Sequence, residues 1–216
     1  MRKNLSVVEL AEKHNTDKKM NNGVKCQNGV LGHNYAIYYD ELFKILKVYK
    51  LLEIGVSRGS SIKMWDEFFN KSVAIYGIDI SEERFKRIDI ETNNIKIFIG
   101  NQGDEHFLQQ FNGENFDLII DDGSHRMSHQ QISLKILFKY LNSGGVYVIE
   151  DLQTSKYNRF FDSKNETTTL DVLFSLQKKE KYLSNYMTED EYNYLIDNVD
   201  SIEFYENNTI CFIRKK

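Results

Sequence analysis

Five short apolar runs recur between residues 50 and 149, separated by helical stretches, and most end in a glycine or a carboxylate. The runs cover residues 50–54 (KLLEI), 73–78, 96–99, 116–120 and 145–149. They are rich in Leu, Ile, Val and Tyr, as strands buried on both faces are. Residues 60–69 put Ile62, Trp65, Phe68 and Phe69 on one side of a helix. Residues 81–87 form a short helix opened by a serine cap with acidic residues behind it. Residues 105–111 and 128–141 are helical as well. Strand, helix and strand at this spacing make βαβ units and a parallel sheet.

The flanks differ. Residues 5–14 read as a short amphipathic helix, and residues 36–47 carry Ile37, Phe43, Ile45 and Leu46 at helical spacing. Between them, residues 15–33 are polar and hold Gly23, Gly29 and Gly32, which predicts a loop or flap. After the alternation come helices over residues 168–179 and 189–197. Strands over 201–205 and 209–213 follow, joined by Glu206-Asn207-Asn208 as a hairpin turn. The expected division is an N-terminal helical and flap segment, 1–48, and a main domain, 49–216.

Composition narrows the function classes. With 41% apolar and 13% aromatic residues the chain has a real core and is not disordered. A net charge of −4 argues against a nucleic-acid partner. No apolar run approaches the ~20 residues of a membrane helix, and the charged N-terminus lacks a signal-peptide core. Cys26 and Cys211 are far apart and show no metal or redox spacing. The expectation is a cytoplasmic protein with reduced thiols and no membrane partner.

Four stretches carry chemistry. In LLEIGVSRGSS a strand enters a loop with Gly55 and Gly59 and then a helix, so backbone N–H groups can approach a ligand. Its spacing fits neither the dinucleotide fingerprint nor a P-loop. Glu53 at that strand end suits an amine-bearing ligand better than a phosphate, and a plain structural turn is the alternative. YGIDIS places Asp79 where an acidic residue accepts from ribose hydroxyls, or else caps a turn. GNQGD, residues 100–104, lines an adenine pocket or closes an ordinary Asx turn. IIDDGSH and VIED put Asp121, Asp122, Glu150 and Asp151 at adjacent strand ends, with His125 beside them. Such carboxylates repel unless solvated or neutralised, and a hard divalent cation relieves them. Ser124 lies outside G-x-S-x-G, which disfavours a hydrolase.

LEIGVSRGSS, YGIDIS, FDLIIDDGSH, LNSGGVYVIEDLQTS and NTDK…HNYAIYYDELF, taken together, resemble the class I S-adenosylmethionine-dependent methyltransferases. The similarity runs from about residue 15 to residue 155. Within that class it is nearest to the group of macrocin and mycinamicin sugar O-methyltransferases, with cephalosporin-hydroxylase-like proteins as cousins. The resemblance implies an α/β, Rossmann-like fold: a seven-stranded, mostly parallel sheet with a C-terminal antiparallel hairpin and helices on both faces. It implies S-adenosyl-L-methionine as donor, S-adenosyl-L-homocysteine as product, and Mg2+. Glu53, Gly55 and Gly59 would hold the methionine part and Asp79 the ribose. Ser57, Ser60, Asn101, Gln102 and Asp121 complete the expected donor surroundings, Asp121 as a neighbour of the metal ligands. Those ligands would be Asp122, Glu150 and Asp151, with His125 as general base. The acceptor would be a small molecule or glycan offering a sugar hydroxyl, contacted by residues 156–196. The flap between Thr16 and Tyr39 could close over the donor, with His33, Tyr35 and Tyr39 as candidates or as packing. A phenol or amine acceptor, a non-catalytic nucleotide-binding module and a homo-oligomer stay open.

Overall fold

The computed structural model describes residues 5–26, 29–85 and 93–216. They form two compact units, Met1–Ile99 and Gly100–Lys216.

The first unit begins with α1 (Val7–His14), whose capping box pairs Ser6 with Glu9 and whose end is set by Asn15 in a left-handed conformation. Asp40 accepts from the Val7 and Val8 N–H groups, which fixes α1 against α2 (Ala36–Leu42). The spacing predicts α2 to residue 47. The helix stops earlier because Lys44 and Ile45 tighten into bonds to the third carbonyl back, on Glu41 and Leu42. Just past the helix, half-buried Phe43 packs among Trp65, Phe68 and Phe69, whereas Ile45 is exposed. Tyr35 and Tyr39 are buried core residues. β1 (Lys50–Ile54), α3 (Ser60–Phe68), β2 (Ala74–Asp79), α4 (Glu82–Phe85) and β3 (Ile95–Ile99) follow. The end of the helix expected over 81–87 lies outside the described residues. β1, β2 and β3 pair in parallel, with Glu53 opposite Gly77 and Asp79 opposite Ile99. β1 and β2 are buried almost throughout, whereas β3, paired on one side by β2, is half exposed.

The second unit holds α5 (Glu105–Gln109), β4 (Phe116–Asp121), α6 (Met127–Leu137), β5 (Leu141–Ile149), α7 (Thr169–Lys178), α8 (Glu189–Asn198), β6 (Val199–Tyr205) and β7 (Ile210–Lys215). β4 and β5 pair in parallel, and β7 runs antiparallel to both β5 and β6. The seven described strands therefore include one reversed strand, β7, and the hairpin turn uses left-handed Glu206, Asn207 and Asn208. Two 3-10 turns, Leu152–Lys156 and Asn158–Phe160, follow β5. Among the described residues no helix is long and apolar enough to cross a membrane.

Candidate active site

In the first unit, β1 delivers Glu53 and then turns at Gly55 (φ 94°) and Gly59 (φ 75°) into α3. These left-handed conformations are ones glycine adopts without strain. The first N–H groups of α3, from Ser60 on, have no acceptor within the helix. Ser57 also takes φ 50°, and its N–H donates to Asp79 Oδ2 at 2.7 Å. The Ser81 N–H donates to Asp79 Oδ1 at 2.9 Å. Asp79 thus clamps the loops after β1 and β2, and each of its oxygens keeps a lone pair for a hydroxyl. Glu53 is fully buried, and its Oε1 lies 3.4 Å from the Nζ of an equally buried Lys18.

In the second unit, Asn101 Oδ1 accepts from the Gly103 N–H at 2.9 Å, so this exposed side chain closes an Asx turn. Gln102 is turned inward. Its Nε2 donates to Asp121 Oδ1 (3.0 Å) and Ser133 Oγ (3.2 Å), and its Oε1 accepts from the Ser124 N–H (2.7 Å). Gln102 is thereby a brace under the loop that follows β4. Asp121, the last residue of β4, is fully buried, and burial pushes its carboxyl up to about 6 against the lowering effect of Gln102.

Beyond Asp121 the chain leaves the strand, and Asp122 and His125 are half-buried. Asp122, His125 and Asp151 each place one donor atom within 4.8 Å of the others. His125 Nε2 lies 3.5 Å from Asp151 Oδ2, while Gln153 Nε2 donates to Asp151 Oδ1 at 2.9 Å. His125 and Asp151 both hold positive φ, 58° and 57°. The Thr154 hydroxyl donates to the carbonyl oxygens of Asp151 (2.7 Å) and His125 (3.4 Å), tying the two loops together. Glu150 is buried beside them, its N–H donating to the Asp121 carbonyl at 3.0 Å. Its carboxylate is not one of the three clustered groups.

Three features had no signal as site residues in the sequence. Ser124 Oγ lies 2.8 Å from His129 Nδ1, which pins the loop bearing His125. The Phe160 ring meets His125 edge-on at 6.2 Å, from a 3-10 turn not foreseen. Lys18 lies within the NTDK stretch, part of the resemblance, but no role was expected of the lysine itself.

Residues 52–152 match a protein family described as "Methyltransferase domain". Demethylmacrocin O-methyltransferase of Streptomyces fradiae is 34% identical over 159 residues, covering 67% of this chain and 39% of that protein. Mycinamicin VI 2''-O-methyltransferase of Micromonospora griseorubida is 34% identical over 139 residues, 59% of this chain and 34% of that one. The chain thus spans less than half the length of these curated relatives. Among solved structures, the MycE methyltransferase from the mycinamycin biosynthetic pathway, in complex with Mg, SAH and mycinamycin VI, superposes with a TM-score of 0.76. It is 27% identical, over 99% of this chain and 55% of that one.

Proposed function

Residues 52–152 being a methyltransferase domain, we propose that this chain is an S-adenosylmethionine-dependent O-methyltransferase that uses Mg2+ and acts on a sugar hydroxyl. The observation that carries the reading is the gathering of Asp122, His125 and Asp151 donor atoms within 4.8 Å at the ends of β4 and β5. Two carboxylates held this close repel one another, so the cluster fits a cation. With Glu150 from the same strand end the set is rich in oxygen, which suits Mg2+. The relatives' names, each an O-methyltransferase, support the reaction class, and the Mg and SAH of the MycE complex support the ligands.

Each residue then has a task. Glu53 and the loop from Gly55 to Ser60 receive the methionine end of the donor, and Asp79 accepts from its ribose hydroxyls. Gln102 and Asp121 hold the loop after β4 in shape, and Asn101 shapes the turn before α5. Asp122, Glu150 and Asp151 hold the cation. A cation held by these residues would supply Lewis-acid activation of an acceptor hydroxyl. His125 Nε2 is placed to take that hydroxyl's proton; as the oxygen bonds to the methyl in line, the methyl's bond to sulfur breaks and S-adenosylhomocysteine leaves. Residues 156–196, which include Phe160 beside His125, supply acceptor contacts. The acceptor is a glycan, a nucleotide-linked sugar or a glycosylated natural product, met in the cytoplasm.

The test is calorimetry with S-adenosylhomocysteine, followed by titration of Mg2+ into that complex. Donor-product binding with an Mg2+ signal lost in Asp122→Asn is the expected result. His125→Ala keeps both binding signals and lowers turnover by about 10²–10⁴. A wild-type chain that binds no S-adenosylhomocysteine overturns the reading; binding without an Mg2+ signal overturns its metal half.

A further inference from the structure

The segment from Lys156 to Glu166 follows β5 and brings Phe160 to His125. Its charged residues are Lys156, Arg159, Asp162, Lys164 and Glu166. Both acids are used inside the protein. Asp162 pairs with the Arg126 guanidinium, and its Oδ2 accepts from the Ser128 N–H at 3.3 Å. Glu166 is buried and accepts from the Asp162 N–H at 2.8 Å, the Ser163 N–H at 3.3 Å and the Tyr186 hydroxyl. These bonds fix the segment beside the start of α6. Lys156, Arg159 and Lys164 are exposed, and among the described residues none of them pairs with a carboxylate. With the Arg126–Asp162 pair neutral, the segment keeps three cations against one buried carboxylate.

Arg159 is the best placed of the three. Its guanidinium carbon lies 4.9 Å from the Phe160 ring centre and 5.8 Å from that of Tyr157. The rings attract the cation and narrow its choice of position, yet among the described residues no acceptor takes its N–H bonds. The Phe160 ring also meets the His125 imidazole edge-on, at 6.2 Å between centres. One aromatic side chain therefore links the candidate base to an arginine whose donors are unspent.

We propose that Arg159 selects an acidic acceptor: a sugar that bears a carboxylate or a phosphate, with its reacting hydroxyl at His125 and Phe160 packing on the sugar between the two. This rests on the reading of His125 as the base of a sugar O-methyltransferase given above. A guanidinium gives either anion two parallel N–H bonds, which a neutral sugar has no charge to match. Lys156 and Lys164 add attraction at longer range.

The experiment is calorimetry on the full chain loaded with S-adenosylhomocysteine and Mg2+. The probes are methyl glucuronide and methyl galacturonide, their neutral counterparts methyl glucoside and methyl galactoside, and glucose 1-phosphate and uridine diphosphate glucose. At least one acidic probe is expected to bind about tenfold or more tightly than its neutral counterpart, and the preference shrinks as salt rises. A preference confined to the uronates puts the acid on the sugar ring; one confined to the phosphates puts it at the anomeric carbon. Arg159→Gln, an exposed change whose folding circular dichroism checks, removes the preference, and Arg159→Lys restores part of it. An acidic probe bound as tightly by Arg159→Gln as by wild type is held by the cation instead, and overturns the proposal. So does a loaded wild type that binds acidic and neutral probes alike, or binds no acidic probe. A wild type that takes up no S-adenosylhomocysteine overturns the methyltransferase reading itself, before any sugar is tried.

Discussion

Replacing Lys18 by methionine keeps an unbranched apolar stem of similar length and removes the charge. Glu53 then loses the ammonium 3.4 Å away while remaining fully buried. Breaking a buried pair from one side costs about 3–5 kcal/mol, chiefly because the surviving charge stays desolvated. Solvent screening gives no discount, since both side chains are 0% exposed. For a chain of 216 residues this is a fall in Tm of about 10 °C. Adding Glu53→Gln removes the buried carboxylate's charge as well. The double variant should recover to within about 1–2 kcal/mol of wild type, because a neutral pair of similar volume carries no comparable desolvation cost. Urea denaturation at neutral pH, followed by circular dichroism, gives the four corners of the cycle. A single variant that costs under about 1 kcal/mol would refute the reasoning. So would a double variant as unstable as Lys18→Met, since the loss would then come from packing.

Two further outcomes test the second unit. Burial holds the His129 imidazole below its ordinary range, with Asp162 opposing and Arg126 adding. The unfolded chain protonates this residue first as pH falls through about 6.5. The stability it contributes is therefore full above that pH and is lost as pH falls toward the folded pKa. His129→Gln should flatten the stability profile below about pH 6.5, and an unchanged slope in urea titrations counts against it. Gln102→Leu removes the donor to Asp121 and Ser133 and the acceptor of the Ser124 N–H. A loss of about 2–4 kcal/mol is expected, with weaker Mg2+ binding by calorimetry; unchanged Mg2+ affinity would mean the brace does not shape the metal loop.

The strand framework was legible wherever an apolar run and a buried strand coincide. β1 occupies the residues read for it, because both its faces are covered. β3 was read as one more buried strand, but IKIFI is half exposed, and its pairing on one side by β2 is not visible in the run itself. β5 begins at Leu141, four residues before the expected start, since Leu141 pairs with Phe116 and the register then shifts, leaving Asn142, Ser143 and Gly144 in an irregular stretch before Val146 pairs with Leu118. In the candidate site, Asp122, His125 and Asp151 were legible because adjacent strand ends share an edge. The different fates of Asp121 and Asp122 follow from position: one ends the strand facing the interior, the other has left it. Gln102 and Lys18 escaped because a polar residue in a polar loop reads as solvated or ligand-facing. Only packing shows that one is a brace and the other a sealed ion.

Backbone strain links the fold to this chemistry. Most described non-glycine residues at positive φ are asparagines in turns, the type that tolerates it best. Ser57, His125 and Asp151 are the ones in the three candidate ligand loops. A left-handed residue costs on the order of 1–2 kcal/mol for ordinary side chains and less for Asp and His. Each is held by a bond from a rigid neighbour: the Ser57 N–H on the Asp79 carboxylate, and the Asp151 and His125 carbonyls on the Thr154 hydroxyl. These left-handed residues turn the chain two to four residues past the strand ends: Ser57 after Ile54, His125 after Asp121 and Asp151 after Ile149. Asp121 and Asp122 divide the end of β4 without such strain. Asp121 is buried against Gln102, which also accepts from the Ser124 N–H, while Asp122 is half-buried and places a donor atom near those of His125 and Asp151.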